Sequence, residues 1–453
     1  MQVFPDTTGM TRLRRARCLL LAFGLCVAPA LSRSNGSSAF ATGTTSAQAP
    51  LPKAGVATAA DRAIAAAESR LAKVPGDTAA KKALAAAFLQ KVREYADPSY
   101  YTKVDQILAS LGGARSSDPE VLLLEGTLLL ARHEFADALK VGQRAVIALP
   151  SNAGAQGILV DAYNELGRYD DALAATQRMV DLRPDLAALS RVSYARELRG
   201  DVPGAIEAMQ QAVTASSGTG EASAYVQTLL GNLLLTQGDV ALAASSYAAA
   251  LRAFPGLAGA RAGQAAVLSA RGRPAEAARL MSQVVASQPQ LQYVIAEGDY
   301  FAAAGMTKQA NDAYQLVDAI IQLYRSNGVN VDLDVAVHAA DQRPTPALLA
   351  STRRAVVDRP GVVGHHALAW VLHRLGRSRD ASTEMAKVIA VGDRDPVFRF
   401  HAAAIAAAGG DRSGAAAQLD IVLSGNPRAV GISPPELAAL AKSLGRTVPP
   451  PAQ

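Results

Sequence analysis

The histidines and the single tryptophan are the residues of this sequence whose side chains could most readily bind a metal ion or a partner. Five of the six histidines cluster toward the C-terminal end: His338, His365, His366, His373 and His401. Imidazole is a common ligand for transition metals, so a metal or haem site is one hypothesis. A polar-aromatic patch for a partner, built with Trp370, is a second, and ordinary packing is a third. His366 and His373 are about 10.5 Å apart along a helix, too far to share one ion directly.

Catalytic motifs are missing from the sequence. It contains no GxxxxGK[ST] phosphate loop, no GxSxG elbow and no HExxH motif, and it lacks a strand pattern to hold them. Acidic pairs occur at Asp170 with Asp171 and at Asp332 with Asp334. These pairs are typical of helix caps and solvated turns rather than of acid-base dyads. We therefore expect no enzyme, and we expect no cofactor.

A repeated unit runs along the chain and must position these side chains. Its clearest copy covers residues 155–184, where apolar residues at helical spacing stop at Gly167, resume at Tyr169 and end at Pro184. The pattern predicts two antiparallel helices joined by a tight turn. The glycine is expected to adopt positive φ, and the proline prevents the second helix from continuing.

Three residue types recur at the same positions of this unit along the chain. One alanine position recurs at nearly even intervals: Ala138, Ala172, Ala205, Ala243, Ala277, Ala310, Ala347, Ala381 and Ala415. Glycine stands five positions before the alanine in seven copies, with His133 and Gln342 as the exceptions. Proline stands twelve positions after the alanine in five copies. Composition bias would not keep three residue types in register.

The order of glycine, alanine and proline resembles the tetratricopeptide repeat, a helix-turn-helix unit of about 34 residues. The resemblance implies an all-α fold, an α-solenoid of stacked antiparallel helix pairs that winds into a right-handed superhelix. About nine units are expected over residues 118–427. The resemblance also implies that the first helices line a concave face, where a protein or peptide partner binds.

The groove positions of that family, carried onto this sequence, give the candidate partner-binding residues. They are Asp161, Asn164, Glu165, Tyr194, Tyr225, Asn232, Asp299, His366, Trp370, His373 and Arg374. Asparagine can pair with a peptide backbone and aromatic rings supply contact area, so the set suits an extended peptide. The basic clamp that the family uses for a peptide carboxylate is missing from copies two to six. No metal site is assigned.

Residues 1–31 are predicted to be a signal peptide. Four arginines precede a short apolar run over residues 18–31, which is typical of a secretory leader, with cleavage possible as late as residue 41. Both cysteines, Cys18 and Cys26, lie in this leader, so the mature chain would contain no thiol. Three of the six net positive charges lie there too, so the charge does not indicate a nucleic-acid partner. Localisation in the periplasm, the cell envelope or outside the cell is expected, with no membrane span in the mature chain.

The remaining segments are predicted to flank the array. Residues 32–56 are a disordered linker, and residues 57–113 are diverged helices that cap the N-terminal end. Residues 433–445 form a capping helix, and residues 446–453 are a disordered tail. The seventh copy, residues 330–359, is the weakest because Pro344 and Pro346 stand at the start of its second helix.

These observations favour an exported binding scaffold for a protein or peptide. Two alternatives remain open at this point. One is a ligand or metal carrier of the cell envelope that uses the histidine-rich copies. The other is an assembly factor that self-associates through the ends of the solenoid.

Overall fold

The computed structural model describes residues 58–95 and 97–453. The leader predicted over residues 1–31 and the linker predicted over residues 32–56 lie outside the described residues. Within them, the regular elements are twenty-two α-helices and a 3₁₀ turn at Gly113–Arg115. The helices are α1 Ala59–Lys73, α2 Thr78–Tyr95, α3 Ser99–Ala109, α4 Pro119–Ala131, α5 Phe135–Ala148, α6 Ala153–Glu165, α7 Tyr169–Leu182, α8 Leu186–Glu197, α9 Val202–Thr214, α10 Gly220–Thr236, α11 Val240–Ala253, α12 Ala258–Ala270, α13 Pro274–Ser287, α14 Leu291–Ala303, α15 Thr307–Ser326, α16 Asp332–Gln342, α17 Pro346–Asp358, α18 Val362–Arg374, α19 Ser378–Val391, α20 Pro396–Ala408, α21 Arg412–Ser424 and α22 Pro434–Ser443.

Helices α4 to α21 form nine antiparallel pairs, which we call units 1 to 9. The two helices of each unit pack on one another, and first helices of neighbouring units also contact each other, as α4 does with α6 and α18 with α20. Each unit therefore buries its apolar face against its neighbours rather than against a separate core. The all-α solenoid predicted from the sequence is confirmed.

The glycine and alanine positions of the repeat act as predicted. All seven repeat glycines have positive φ, between 70° and 87°. His133 takes the same left-handed conformation in unit 1, with φ 64°, so this unit keeps the turn without a glycine. Eight of the nine repeat alanines are buried, each at most 3% exposed. Their small side chains let the two helices of a unit approach closely.

The seventh unit departs from the predicted phase. Ala347 is exposed, and Leu349 occupies the buried position instead. The reason is the start of α17 at Pro346, since in the other units the buried residue is the fourth of the second helix and in α17 that residue is Leu349. Pro344 and Pro346 delay the helix because proline favours the first helical position and disfavours helix before it.

The solenoid makes more than one superhelical turn, and successive turns contact each other. The turns between the two helices of early units meet the connections between units of the next superhelical turn. Asn330 N donates to Arg132 O at 3.4 Å, and Gly361 N donates to Glu165 O at 3.1 Å. We call this row of contacts the inter-turn seam. Amide donors of the second superhelical turn thereby satisfy carbonyls at the ends of first helices, which have no partner inside their own helix.

Side chains reinforce the inter-turn seam at similar separations along the chain. Gln288 Nε2 donates to Glu94 O, 194 residues away, at 2.8 Å. His133 Nδ1 donates to Asn330 O, 197 residues away, at 2.7 Å. Val362 N donates to the Tyr169 hydroxyl, 193 residues away, at 2.9 Å. The near-constant separation means that the same screw relation repeats along the seam.

The C-terminal end differs from the prediction in one respect. The capping helix expected over residues 433–445 is α22, with Leu437 and Ala441 buried. The tail expected to be disordered instead contacts unit 5, because Ala452 N donates to Ala270 O at 3.2 Å. Arg428 also donates to the carbonyl of Pro449 at 2.8 Å. Internal hydrogen bonds therefore fix a segment whose composition alone predicts a loose tail.

No helix in residues 58–95 or 97–453 has the length and apolarity to cross a membrane.

Candidate partner-binding face

Three predicted binding residues lie near the end of α6, the first helix of unit 2. Asp161 accepts two hydrogen bonds, of 2.9 and 2.6 Å, from Arg191 of the next first helix, α8. Burial raises the pKa of Asp161, and the Arg191 charge partly offsets that increase. Glu165 accepts from Arg359 Nε across the inter-turn seam at 2.5 Å. Asn164 is half-buried between them. Asp161 and Glu165 therefore hold the scaffold together, whereas the described residues offer the Asn164 side chain no hydrogen bond.

Asn232 and Asp299 occupy equivalent positions in units 4 and 6 and make equivalent internal bonds. The Tyr247 hydroxyl donates to Asn232 Oδ1 at 2.8 Å, and the Tyr314 hydroxyl donates to Asp299 Oδ1 at 2.8 Å. In both units the tyrosine packs against the glycine that precedes its partner, where a β-carbon would lie within 3 Å of the ring. Burial raises the pKa of Asp299 to about 7. These two residues fix the second helix against the first.

Tyr194 and Tyr225 are half-buried on the first helices of units 3 and 4. Tyr194 packs against the apolar core of the C-terminal units, and Tyr225 packs against the core around Tyr247. Both rings therefore present only part of their area. Whether they contact a partner remains a prediction.

The histidines and the tryptophan of units 8 and 9 form a stack of rings. We call this set the ring cluster: Phe398, His366, His401, Trp370 and His373. Centroid distances are 3.6 Å from Phe398 to His366, 5.0 Å from His366 to His401, 3.5 Å from His401 to Trp370 and 4.9 Å from Trp370 to His373. Trp370 is 1% exposed and His366 is 5% exposed. The sequence predicted groove positions for these two rings, but the structure buries them between α18 and α20.

Most polar groups around the ring cluster are paired. Trp370 Nε1 donates to Asp341 Oδ1 at 2.9 Å. Arg374 forms ion pairs with Asp341 at 3.4 Å and with Glu436 of α22 at 2.9 Å. Burial raises the pKa of Asp341 to about 6. His373 is half-buried, and its Nδ1 has no hydrogen-bond partner within the described residues.

The histidine arrangement does not support the metal-carrier alternative. His366 Nε2 and His401 Nδ1 are hydrogen-bonded to each other at 2.8 Å, so each occupies a nitrogen of the other. Burial lowers the pKa of His366 to about 3 and that of His401 well below its usual value, so both rings are neutral. The part of the chain that the structure describes contains no group of three or more histidine, cysteine or acidic side chains arranged to hold an ion.

The structure also brings together an acidic cluster that sequence reasoning missed. Glu197 of α8 faces Asp393 and Asp395, which precede α20 in the second superhelical turn. Burial raises the pKa of Glu197 to about 8. Burial and then the Glu197 charge raise the pKa values of both aspartates, while Arg399 lowers them. The sequence shows Asp395 as a helix cap before Pro396, but it contains no signal for a contact with a residue of the preceding superhelical turn.

Comparison with known proteins agrees with this geometry. A family model described as tetratricopeptide repeat matches residues 123–187, 194–258 and 228–292. Tetratricopeptide repeats are therefore found within residues 123–187 and 194–292. The matched residues run from α4 into α14, so they cover the first units of the array. No curated protein gives a sequence match.

Three solved structures match this chain at low sequence identity and with TM-scores below 0.5. The crystal structure of the APC/C hetero-tetramer Cut9-Hcn1 is 14% identical with a TM-score of 0.47, over 85% of this chain and 67% of that chain. The human IFIT1 dimer with PPP-AAAA is 13% identical with a TM-score of 0.44, over 80% and 94%. TTC0263, a thermophilic TPR protein of Thermus thermophilus, is 19% identical with a TM-score of 0.34, over 46% and 99%. Likeness at this level carries no argument about partners.

Proposed function

We propose that this chain is an exported scaffold that binds a protein or peptide partner on its concave face. Tetratricopeptide repeats serve protein-protein interaction in general, and such proteins are generally scaffolds without catalytic activity. One observation carries the proposal. First helices of several neighbouring units contact each other, among them α4 with α6, α10 with α12 and α16 with α18, which supports a shared face lined by first helices.

Asn164 is the residue best suited to contact a partner. Its amide can both donate to and accept from a peptide backbone, and no internal side-chain bond in the described residues occupies it. Asp161 and Glu165, on either side of it, are held in place by arginines. A peptide group that meets Asn164 would therefore meet a preorganised surface and would lose little side-chain entropy on binding.

The binding proposal can be tested by photo-crosslinking in the native cells. A photo-reactive amino acid replaces Asn164 on the inner face, and the matched control replaces Ala174, which is exposed on the second helix α7. We expect a protein captured at position 164 and not at position 174. That protein, once purified, should bind the wild-type chain in a calorimeter, and Asn164→Ala should weaken binding several-fold. Capture of the same proteins at both positions would argue against the inner face.

Export can be tested separately. Cell fractionation followed by N-terminal sequencing should find a chain that begins after about residue 30 or after residue 41, outside the cytoplasm. A chain that keeps residues 1–31 in the cytoplasmic fraction would overturn the export proposal and leave the binding proposal intact. The absence of nucleic acid from the purified complex, read from its ultraviolet spectrum, is expected in both cases.

A further inference from the structure

The inter-turn seam recurs at one position of the first helices, the carbonyl seven residues before the repeat alanine. In unit 2 this carbonyl is Glu165 O, which accepts from Gly361 N at 3.1 Å. In unit 4 it is Thr236 O, which lies 2.7 Å from the β-carbon position of Gly425. The same backbone groups of successive units on the first superhelical turn therefore contact the second turn.

The turn glycines of these units lie against the second superhelical turn as well. A β-carbon on Gly167 would lie 3.0 Å from Pro360 O, and a β-carbon on Gly238 would lie 2.9 Å from Gly425 O. Both carbonyls belong to residues between helices, Pro360 before α18 and Gly425 after α21. The contact therefore joins the turn inside one unit to the connection that follows another.

Unit 5 makes the same contact with the last residues of the chain. Ala452 N donates to Ala270 O, again seven residues before the repeat alanine, at 3.2 Å. A β-carbon on Gly272 would lie 2.7 Å from the ring of Pro451. Residues 451–452 thus occupy the place that a connection occupies over units 2 and 4.

From unit 6 onward the equivalent positions are open. In the part of the chain that the structure describes, three turn glycines have no atom within 4 Å of a β-carbon position: Gly305, Gly376 and Gly410. The equivalent carbonyls accept no backbone hydrogen bond from the described residues: Ala303, Arg374 and Ala408. We call the turns of units 6, 8 and 9 the open turn edge.

The connections between units show the complementary pattern. Connections of the second superhelical turn contain buried residues: Gly361, Asp393 and Asn426. Connections of the first superhelical turn contain exposed residues: Pro150, Ser151, Arg183 and Pro184. We call residues 150–151 and 183–184 the open connection edge. The described chain therefore buries one turn edge against one connection edge and leaves one of each exposed.

We propose that the open turn edge of one copy binds the open connection edge of a second copy of this chain. The occupant follows from continuity with the inter-turn seam, because this chain already pairs the two kinds of edge over units 2, 4 and 5. Carbonyls at the ends of first helices have no partner inside their own helix, and amides of a second copy would satisfy them. The contact uses the edges of the superhelix rather than the ends of the array.

The two edges differ in structure, so the interface is head-to-tail. Such an interface leaves one edge of each kind unused on every complex, and further copies can add to both sides. The product is a row of copies rather than a closed dimer. This association does not use Asn164, so it is independent of the partner proposed for the concave face.

Sedimentation velocity of the full chain over a range of concentrations measures the association. The weight-average mass should rise with concentration and should not level off at that of a dimer. Thr307→Asp combined with Ser378→Asp should weaken association about tenfold, because each carboxylate would face carbonyl oxygens of the second copy. Both residues begin their helices, where an acidic side chain is favourable, so the fold should be kept. The matched control, Ser245→Asp with Gln283→Asp, adds the same charges at exposed positions of second helices and should leave association unchanged.

A bismaleimide linker then identifies which edges meet. Cys18 and Cys26 are changed to alanine, so that each variant has one thiol. One preparation carries Ser151→Cys, which stands two residues before α6 as Pro360 stands before α18. The other carries Thr307→Cys or Ser378→Cys at the first position of a second helix.

The first position of a second helix meets the seam in unit 2, where the Tyr169 hydroxyl accepts from Val362 N at 2.9 Å. A mixture of the Ser151→Cys chain with one of the two turn-edge variants should therefore give several times more linked dimer than either preparation alone. A mixture of Ser151→Cys with Ser245→Cys, in the middle of α11, should give none above background.

Three results would overturn the proposal. The first is a chain that stays monomeric at every concentration. The second is a mixture in which neither turn-edge variant links to Ser151→Cys. The third is linking within one preparation that is as efficient as in the mixture, since it would show a symmetric contact. Capture of a partner at Asn164 does not depend on any of these results, so the two proposals fail separately.

Discussion

Arg359 is predicted to make the most stabilising ion pair across the inter-turn seam. Its side chain is 7% exposed and bridges Glu165 of the first superhelical turn, at 2.5 Å, to Asp334 of the second, at 2.9 Å. Burial opposes ionisation of Asp334, but Arg359 and His133 together hold its pKa below the usual value. Replacing Arg359 with methionine keeps the aliphatic stem and removes the charge, which leaves two carboxylates without this partner.

The expected loss in the free energy of unfolding follows from how exposed the two carboxylate partners are. Breaking a buried ion pair from one side costs about 3–5 kcal/mol. Glu165 is 25% exposed and regains water, so the lower end applies, about 3 kcal/mol. This corresponds to roughly a 150-fold change in an equilibrium constant. The contacts of the inter-turn seam should open before the helix pairs unfold, because the pairs on either side of the seam keep their own contacts.

Hydrogen exchange and urea denaturation together measure this loss. The amide of Gly361, which donates to Glu165 O across the seam, should exchange about 100-fold faster in Arg359→Met, while the Ala172 amide inside unit 2 should not change. Trp370 is the single tryptophan, so its fluorescence reports unfolding of the units next to Arg359.

The matched control is Arg377→Met, which removes an exposed ion pair with Asp380 and should cost less than about 1 kcal/mol. Equal denaturation midpoints for the two variants, or unchanged exchange at Gly361, would refute the reasoning.

Three further predictions concern a glycine, an acid and a tyrosine. Urea denaturation should show that Gly167→Ala destabilises the chain more than Gly376→Ala does. Both glycines have positive φ, so each substitution should cost about 1–2 kcal/mol of stability. Only at Gly167 would the added β-carbon also contact the carbonyl oxygen of Pro360, at 3.0 Å. Burial raises the pKa of Glu197 in the folded state to about 8, so the folded state binds a proton that the unfolded state has lost, and stability should fall as pH rises from about 4.5 to 8. Glu197→Gln should make the free energy of unfolding depend less on pH over this range. An unchanged slope would contradict the prediction. Tyr247→Phe should cost about 1–1.5 kcal/mol in thermal denaturation because Asn232 loses its donor, and a neutral result would show that water replaces the hydroxyl.

Part of the fold could be predicted because its signals are local. A glycine five positions before an alanine reports where one helix stops and where two helices cross, and both events depend on a few neighbouring residues. The turn glycines and all but one of the repeat alanines behave accordingly in the structure. The exception is Ala347, because proline sets where α17 begins and the periodic spacing does not.

The candidate site was harder to predict because burial depends on the whole superhelix. Trp370 and His366 occupy groove positions in their unit, yet α20 covers them with His401 and Phe398. Asp161 and Glu165 are candidate groove residues in the sequence, but an arginine from another unit binds the first and an arginine from another superhelical turn binds the second. The sequence of a single unit does not indicate which residues of other units these side chains will contact.

The sequence by itself determined that helices pair, where each pair turns and that the pairs repeat, since those properties depend on residues within one unit or its neighbour. Only the tertiary structure decided which turns meet at the inter-turn seam, which acids are buried there and where the last residues, 446–453, lie. The physical reason is that a seam between residues of successive superhelical turns depends on the accumulated curvature of all the units between them. Small changes in each crossing angle add up along the array, and no local pattern encodes their sum.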